Sequence, residues 1–206
     1  IQTVEAIRHK FGAIGLRKTI EHILRNLSDP KADFLLICED DHQFTADYSS
    51  QLLFAAIAEA REKGADVLCG GVSWFNNAVQ ISNNLYWVEK FSGLQFTIIF
   101  RKFIQSILNA TFNEFEAADY KISDLMVNKF FISPFISTQK DYGYSGVTPK
   151  NNLAGRVSKL FDECIERVNV LNKINRHYKT IKCHTLKINF GRHSILFYIH
   201  DMMLFK

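Results

Sequence analysis

The feature that most constrains the fold of this chain is a short apolar run that ends abruptly in three acidic residues. The run comprises residues 34–38, FLLIC, and its continuous apolar character is typical of a strand that is buried on both faces of a sheet. Glu39, Asp40 and Asp41 follow it without a spacer. Ligands of open α/β sheets bind at the carboxyl ends of the strands. The sequence therefore predicts an α/β domain with a polar site at residues 39–41.

The segments around this run predict an alternation of helices and strands. Apolar spacing from about residue 47 predicts a helix capped by Gly64, and residues 66–69 predict a second buried strand. A strand–helix–strand order implies a right-handed crossover between parallel strands. The other predicted elements are two helices within residues 3–27, divided at Gly12 and Gly15, short strands at 86–88 and 94–100, a helix at 119–129, a strand at 131–137 and a long amphipathic helix at 152–177.

Charge is distributed unevenly and divides the chain into two parts. Residues 1–149 carry 14 basic and 17 acidic side chains, a net charge of −3, whereas residues 150–206 carry 11 and 4, a net charge of +7. We therefore predict one domain over residues 1–149 and a basic helical tail over residues 150–206. No recognised nucleic-acid motif accompanies the tail, so nucleic acid is not a predicted partner.

The basic tail ends in an apolar run. Residues 195–205 are too few to span a bilayer, but basic and aromatic residues together favour contact with an anionic membrane surface. Packing against the domain, or against a second copy in a homodimer, is an equal alternative. The four cysteines are far apart and form no C-x-x-C motif, which favours reduced thiols. We therefore expect a cytoplasmic protein, with peripheral contact at the inner membrane face as one option.

Three adjacent carboxylates repel one another unless a cation offsets their charge. Mg²⁺ and Mn²⁺ prefer oxygen ligands and commonly bridge one or two carboxylates to a diphosphate. Asp41 and Glu39 are therefore the predicted metal ligands, and Asp40 is a predicted contact of the same diphosphate. Gly70 and Gly71 would let the backbone approach such a ligand closely. The alternatives are a solvated acidic turn and a plain glycine turn.

Several segments resemble A-type glycosyltransferases, most closely family 25, the lipopolysaccharide-type galactosyltransferases. The family's strand followed by Glu-Asp-Asp is matched by residues 35–41, LLICEDD. Its glycine-rich segment ending in Ser-His is similar to residues 12–16, GAIGL, followed by Glu21 and His22, where Glu21 takes the place of the serine.

The later part of the chain continues the resemblance. Residues 133–139, SPFISTQ, resemble the family's Pro…Gln loop, and Asp119 holds the place of the acidic residue that precedes that loop. The likeness covers about residues 10–148. No strand precedes the first helix and the chain starts with Ile1, so we expect the natural protein to continue upstream. There the family's N-terminal strand would hold part of the nucleotide.

The resemblance implies a Rossmann-like fold that transfers a hexose from a nucleotide-diphosphate sugar, such as a UDP-hexose, to a surface glycan or lipid-linked acceptor. It also implies that His22 and Gln139 contact the donor. An inverting transferase needs a carboxylate base near the acceptor hydroxyl, and Asp119 and Asp124 are the candidates. The alternatives are a structural histidine on a helix for His22 and a helix N-cap for Asp119.

Two aromatic residues and two other functions complete the predictions. Trp74 and Phe75 either stack on a sugar ring or belong to the core.

One alternative function is a non-catalytic, transferase-like module for glycan binding or assembly. Another is a metal-dependent nucleotidyltransferase, which usually has a glycine-rich basic phosphate loop near its start; this sequence has no such loop.

Overall fold

The structure is a computed structural model that describes residues 1–112, 117–143, 149–179, 184–190 and 193–199. The chain forms two compact units, Ile1–Val168 and Asn169–Lys206. The first unit extends beyond the predicted boundary at residue 149 because the start of the C-terminal helix packs within it. The buried residues of that helix are Val157, Phe161, Cys164 and Val168.

The described residues confirm a mixed α/β architecture. The helices are α1 (Gly12–Asn26), α2 (Ser50–Glu62), α3 (Arg101–Asn109), α4 (Ala118–Asp124) and α5 (Arg156–Lys179), with a 3-10 helix at Pro149–Asn152. The strands are β1 (Phe34–Cys38), β2 (His42–Phe44), β3 (Val67–Cys69), β4 (Trp74–Phe75), β5 (Ala78–Gln80), β6 (Leu85–Val88), β7 (Phe91–Ser92), β8 (Phe96–Phe100), β9 (Lys129–Ile132), β10 (Ser137–Gln139), β11 (His184–Phe190) and β12 (His193–Ile199).

Six strands form one mixed sheet in the order β1–β8–β3–β9–β6–β5. β3 and β9 are parallel neighbours, and the other neighbours are antiparallel. β1 and β3 run in the same direction, as predicted, but β8 lies between them. β1 is an edge strand in which Leu36 is 39% exposed, so the prediction that residues 34–38 are buried on both faces is wrong. A continuous apolar run does not distinguish a central strand from an edge strand.

Helices cover both faces of this sheet. Successive residues of a strand point to opposite faces. Phe96, Ile98 and Phe100 of β8 belong to a core cluster with α2, whereas Thr97 and Ile99 line a cavity together with residues of α1 and α4. Burial of each large apolar side chain stabilises the fold by about 1.5–3 kcal/mol. The two helical layers therefore hold the strands, and the ends of the strands, in fixed positions.

The N-terminal region contains one helix rather than the two that were predicted. Residues 1–11 are not helical, and Ile7 N–H donates to Thr19 Oγ1 of α1 at 2.8 Å. A Cβ atom on Gly15 would meet the Ile7 carbonyl oxygen at 2.6 Å. Gly15 therefore allows the N-terminal segment to lie against the helix, and the prediction of a helix before Gly12 is wrong.

Two predicted elements near residue 130 are shorter than expected. The helix predicted at 119–129 ends at Asp124, because Lys129 begins β9 and pairs with Val67. The strand predicted at 131–137 ends at Ile132, and a cis Ser133–Pro134 bond separates it from β10. β10 pairs with β2 instead of joining the large sheet. The loop predicted from the family resemblance thus lies beside the segment that follows the acidic triplet.

The C-terminal region contains both a helix and strands. The predicted long helix is confirmed as α5, which ends at Lys179. β11 and β12 then pair antiparallel, from His184 with Ile199 to Phe190 with His193. The prediction that the tail is wholly helical is therefore wrong. Residues 200–206, which include the end of the predicted apolar run, lie outside the described residues. Within the described part of the chain, no helix is long and apolar enough to cross a membrane.

Candidate functional site

The acidic triplet lies in a tight turn at the carboxyl end of β1. Glu39 N–H donates to Gln95 O at 3.0 Å, and His42 N–H donates back to Glu39 O at 3.2 Å. Asp40, inside this turn, is exposed, whereas Glu39 and Asp41 are partly buried. The turn therefore presents Asp40 to solvent and directs the other two carboxyl groups toward the protein.

Glu39 lies in an acidic and largely apolar environment. Burial, and then the negative charges of Asp41, Asp119 and Asp40, raise the pKa of the Glu39 carboxyl to about 8. The same side chain borders a cavity of about 20 Å³, which has room for roughly one water molecule. The other residues that line this cavity are Leu16, Ile20, Ile37, Leu94, Thr97, Ile99 and Ile122. The fold thus brings Asp119 together with the triplet, although about 80 residues separate them in the sequence.

Asp41 is held by the loop that contains β10. Gln139 Nε2 donates to Asp41 Oδ2, and Lys140 N–H donates to the Asp41 carbonyl oxygen at 2.7 Å. Asp41 Oδ1 is buried and has no hydrogen-bond partner among the described residues. Burial raises the pKa of Asp41, and the bond from Gln139 opposes that rise. A buried oxygen without a donor is costly, so Oδ1 fits a ligand that these residues do not supply.

Asp119, whose charge acts on Glu39, lies on helix α4, and Glu39, Asp41 and Asp119 together are called the acidic cluster below. Gly93 N–H donates to Asp119 Oδ2 at 3.1 Å, and Tyr120 N–H donates to Oδ1 at 2.9 Å. Burial raises the pKa of Asp119, and these backbone hydrogen bonds lower it. The N-cap of α4 is Ala117 and has no side-chain cap, so the alternative role of Asp119 as an N-cap is wrong. Two backbone donors instead fix the orientation of its carboxylate.

Asp124, the second predicted base, lies in a different environment at the end of α4. Its carboxylate forms an ion pair with Lys90 Nζ at 2.9 Å, and both side chains are 48% exposed. Its charge also acts on the buried amine of Lys129. Asp124 therefore already has a cationic partner on the surface, unlike Asp119 in the acidic cluster.

His22, a predicted donor contact, lies on the exposed side of α1. Its Nδ1 is 3.1 Å from Asn26 Nδ2, one helical turn later. This contact agrees with the structural alternative, and a role in donor binding remains a prediction.

Gly70 and Gly71, also predicted donor contacts, are buried where β3 ends. A Cβ atom on Gly71 would meet the Ser137 carbonyl oxygen at 2.1 Å, and one on Gly70 would meet Phe96 Cδ1 at 2.7 Å. Both glycines therefore permit close packing against the protein itself. This packing agrees with the alternative of a plain glycine turn, and a close approach of this backbone to a ligand remains a prediction.

One residue close to the triplet was missed by the sequence analysis. The His42 ring lies 4.5 Å from the Phe44 ring and 5.1 Å from the Phe96 ring, and its Nδ1 is 2.8 Å from Ser137 Oγ. Burial lowers the pKa of His42. Its position directly after Asp41 was the available signal, but its contacts depend on the pairing of β2 with β10, which the sequence did not predict.

The two predicted aromatic residues have separate roles. Phe75 is buried at 1% exposure, and the Arg167 guanidinium lies 3.9 Å from its ring centroid, so Phe75 belongs to the core. Trp74 is 37% exposed and its ring lies 6.0 Å from that of Tyr120, which is 47% exposed. Tyr120 adjoins Asp119 in the sequence and was also missed. An exposed aromatic pair therefore lies next to the acidic cluster.

A larger cavity, of about 320 Å³, lies at the other end of the same strands. Arg61 pairs with Asp33 at 2.7 Å and Lys102 pairs with Asp66 at 2.8 Å, while Arg101 donates to the backbone carbonyl oxygens of Ala32 and Asp29. Size alone therefore does not make it the better candidate site, because its charged side chains already have partners within the protein.

The chemistry of the acidic cluster fits a hard divalent cation. Its donor atoms are carboxylate oxygens, and Asp41 Oδ1 is an acceptor without a protein donor among the described residues. Those residues include no group of three or more His, Cys, Asp or Glu side chains arranged to hold a metal ion. Mg²⁺ is often bound by one or two carboxylates plus substrate phosphates, and Glu39 with Asp41 would provide that number.

Comparisons with known proteins give little further guidance. No family model matches the chain, and no curated protein matches it. The chain is similar to the crystal structure of A197 from STIV, with 19% sequence identity and a TM-score of 0.43, over 64% of this chain and 69% of that chain. At this level of similarity, the comparison assigns neither a family nor an activity.

Proposed function

We propose that this chain is a glycosyltransferase that moves a hexose from a nucleotide-diphosphate sugar to a surface glycan acceptor. The observation that carries the proposal is the cluster of Glu39, Asp41 and Asp119, whose charges meet at the carboxyl end of β1. Within the described residues, none of the three forms an ion pair with a basic side chain. Perturbed carboxylates at the end of an α/β sheet are typical of a functional site.

Glu39 and Asp41 would hold Mn²⁺ or Mg²⁺, which when bound offsets the charge that grows on the departing diphosphate. Glu39 would lose its proton on becoming a ligand, since metal ligands bind in their deprotonated form. Gln139 keeps one oxygen of Asp41 occupied and leaves Oδ1 for the ligand. Asp40, which is exposed in the turn, would contact the same diphosphate.

Asp119 is the proposed general base. In an inverting transfer, the acceptor oxygen bonds to the anomeric carbon while the bond from that carbon to the diphosphate breaks, and Asp119 takes the hydroxyl proton. Burial raises the pKa of Asp119, which makes its carboxylate a better proton acceptor. Gly93 and Tyr120 hold that carboxylate through their N–H groups. The ion pair with Lys90 makes Asp124 the weaker candidate.

Calorimetric titration with UDP-galactose and UDP-glucose, with and without Mn²⁺, tests the proposal. We expect binding that depends on Mn²⁺ and that weakens by at least about tenfold, or ~1.4 kcal/mol, in Asp41→Ala. Asp33→Ala is the matched control, because it removes a carboxylate from the opposite end of β1. Equal affinity of the wild type and Asp41→Ala for the UDP-sugars at saturating Mn²⁺ would refute the assignment of the donor site. Binding without transfer to any acceptor would favour the non-catalytic module.

For the basic tail, we propose contact with an anionic membrane surface where a lipid-linked acceptor is present. The basis is the net charge of +7 over residues 150–206. Each Lys or Arg near such a surface contributes about 1 kcal/mol, and salt weakens the attraction. We expect co-sedimentation with anionic but not neutral vesicles, lost at high salt and on deletion of residues 178–206. If the protein forms a concentration-dependent dimer and does not bind vesicles, the tail is a subunit interface instead.

A further inference from the structure

The chain's two tryptophans lie in different environments. Trp87 is partly buried and its indole N–H donates to the Val127 carbonyl oxygen at 2.8 Å. Trp74 is 37% exposed, and it faces the exposed ring of Tyr120 at a centroid distance of 6.0 Å and an interplanar angle of 53°. Exposed aromatic side chains that converge in this way mark a surface suited to binding.

Strand pairing and backbone hydrogen bonds connect this aromatic pair to Asp119. Trp74 pairs with Ser92 across β4 and β7, and the next residue, Gly93, donates its N–H to Asp119. From the other side, Tyr120 donates its own N–H to the same carboxylate. Tyr120 therefore contacts Asp119 directly, at Oδ1, and Trp74 is linked to Oδ2 through its strand partner Ser92 and the adjacent Gly93.

Polar groups border the aromatic pair. Ser73 precedes Trp74 in the sequence, and Ser92 is the strand partner of Trp74. The two serine hydroxyl oxygens are 3.0 Å apart, and both residues are partly exposed. The face of an aromatic ring carries negative charge density and attracts the weakly positive C–H groups of a sugar ring. Apolar walls with a few well-placed polar groups are typical of small-molecule sites.

We propose that Trp74 and Tyr120 form the subsite that binds the pyranose ring of the acceptor, with a hydroxyl directed at Asp119. This inference rests on the proposed function and adds the acceptor class to it, a terminal hexopyranose. Ser73 and Ser92 are placed to bind hydroxyl groups at the edge of the sugar.

The two indole N–H signals in a ¹⁵N correlation spectrum give a direct test, with methyl β-galactoside, methyl β-glucoside and methyl α-mannoside as probes. We expect at least one glycoside to shift the Trp74 indole signal saturably, with a dissociation constant on the order of 1–10 mM. The Trp87 signal serves as the internal reference and should not move. Tyr120→Ala should abolish most of the shift, and Tyr120→Phe, which keeps the ring, should restore it.

Phe54→Ala is the control for loss of an exposed aromatic side chain, since Phe54 is 66% exposed on α2 and should not affect the Trp74 shift. The subsite is refuted by an unmoved Trp74 signal at about 100 mM of every glycoside, by equal shifts of both indoles, or by a full shift in Tyr120→Ala. UDP-sugar titration of the same sample keeps the two proposals apart. Donor binding without a glycoside shift refutes the subsite alone, and a glycoside shift without donor binding refutes the transferase alone.

Discussion

The acidic residues at the two ends of β1 and β3 lie in opposite environments. Asp33 and Asp66, which precede β1 and β3, are each paired with a basic side chain, at 2.7 Å and 2.8 Å. At the other end, Glu39 and Asp41 share their surroundings with Asp119 and no ion pair within the described residues relieves them.

The acids at the paired end therefore stabilise the fold slightly, whereas those at the other end lower its stability. An exposed ion pair contributes about 0–1 kcal/mol, whereas buried carboxylates without a partner reduce stability when they are charged. The β8 strand supplies part of the explanation, because it runs opposite to β1 and places Arg101 and Lys102 at the paired end. Of the acids described at these two ends, those at the unpaired end are the ones whose negative charge a cation could offset.

The largest expected effect separates the two acids of α4. Asp119→Asn keeps the shape of the side chain but removes the proton acceptor, so transfer should fall by roughly 10²–10⁴-fold while UDP-sugar binding changes little. Steady-state kinetics together with donor titration measure both quantities. Asp124→Asn, which removes the exposed pair with Lys90, is the matched control and should retain near-normal transfer. The reverse result would move the base to Asp124 and place Asp119 among the structural acids.

The next effect concerns stability and pH. The pKa of Glu39 is about 8 in the folded chain, against an ordinary value of 4.5. Between these values the folded state holds a proton that the unfolded state has lost, so the free energy of unfolding should fall as pH rises from 4.5 to 8. The expected contribution is on the order of a few kcal/mol, with each kcal/mol worth roughly 2–4 °C in Tm.

Thermal unfolding at pH 5 and pH 8.5 in the presence of a chelator measures this dependence. Glu39→Gln cannot ionise, so its Tm should decline much less over the same range and exceed that of the wild type at the higher pH. When Mn²⁺ replaces the chelator at pH 8.5, it should stabilise the wild type but not this variant. An unchanged pH dependence of Tm in Glu39→Gln would show that ionisation of Glu39 does not destabilise the fold, so that the acidic cluster is no more destabilising than the paired end.

The smallest effect is expected at the paired end. Asp33→Asn removes the partner of Arg61, but both side chains are about two-thirds exposed, at 64% and 65%. Loss of such a pair should cost about 0.2–1 kcal/mol of unfolding free energy and should leave donor binding unchanged. Urea unfolding measures this value. A loss as large as that caused by ionising Glu39 would remove the contrast between the two ends.

The sequence predicted the parts of this arrangement that depend on neighbouring residues. The turn after β1 follows from an apolar run that meets Glu39. α2 ends at Glu62, and Gly64 follows its C-cap residue Lys63 with a φ of +66°, which confirms the predicted glycine cap. The place of Asp119 near the triplet was implied only by the family resemblance. Its contact with Gly93 joins residues that lie 26 apart, and no local pattern predicts such a contact.

Long-range pairing accounts for what the sequence analysis missed. Residues 34–38 resemble a central strand because side-chain hydrophobicity reports burial of faces and not the presence of neighbours on each side. The contact of His42 with Ser137 depends on the register of β2 with β10. Gly15 was interpreted as a break between helices, although its missing side chain makes room for the Ile7 carbonyl.

The edge position of β1 has a consequence for how the site would be lost. Within the described residues, β1 pairs with β8 alone, so it is held to the sheet by one ladder of hydrogen bonds rather than two. Segments held in this way open at a lower free energy than the strands at the centre of a sheet. The amide hydrogens of residues 35–41 should exchange with solvent faster than those of β3, and mild denaturant should dismantle the cluster while the rest of the sheet survives.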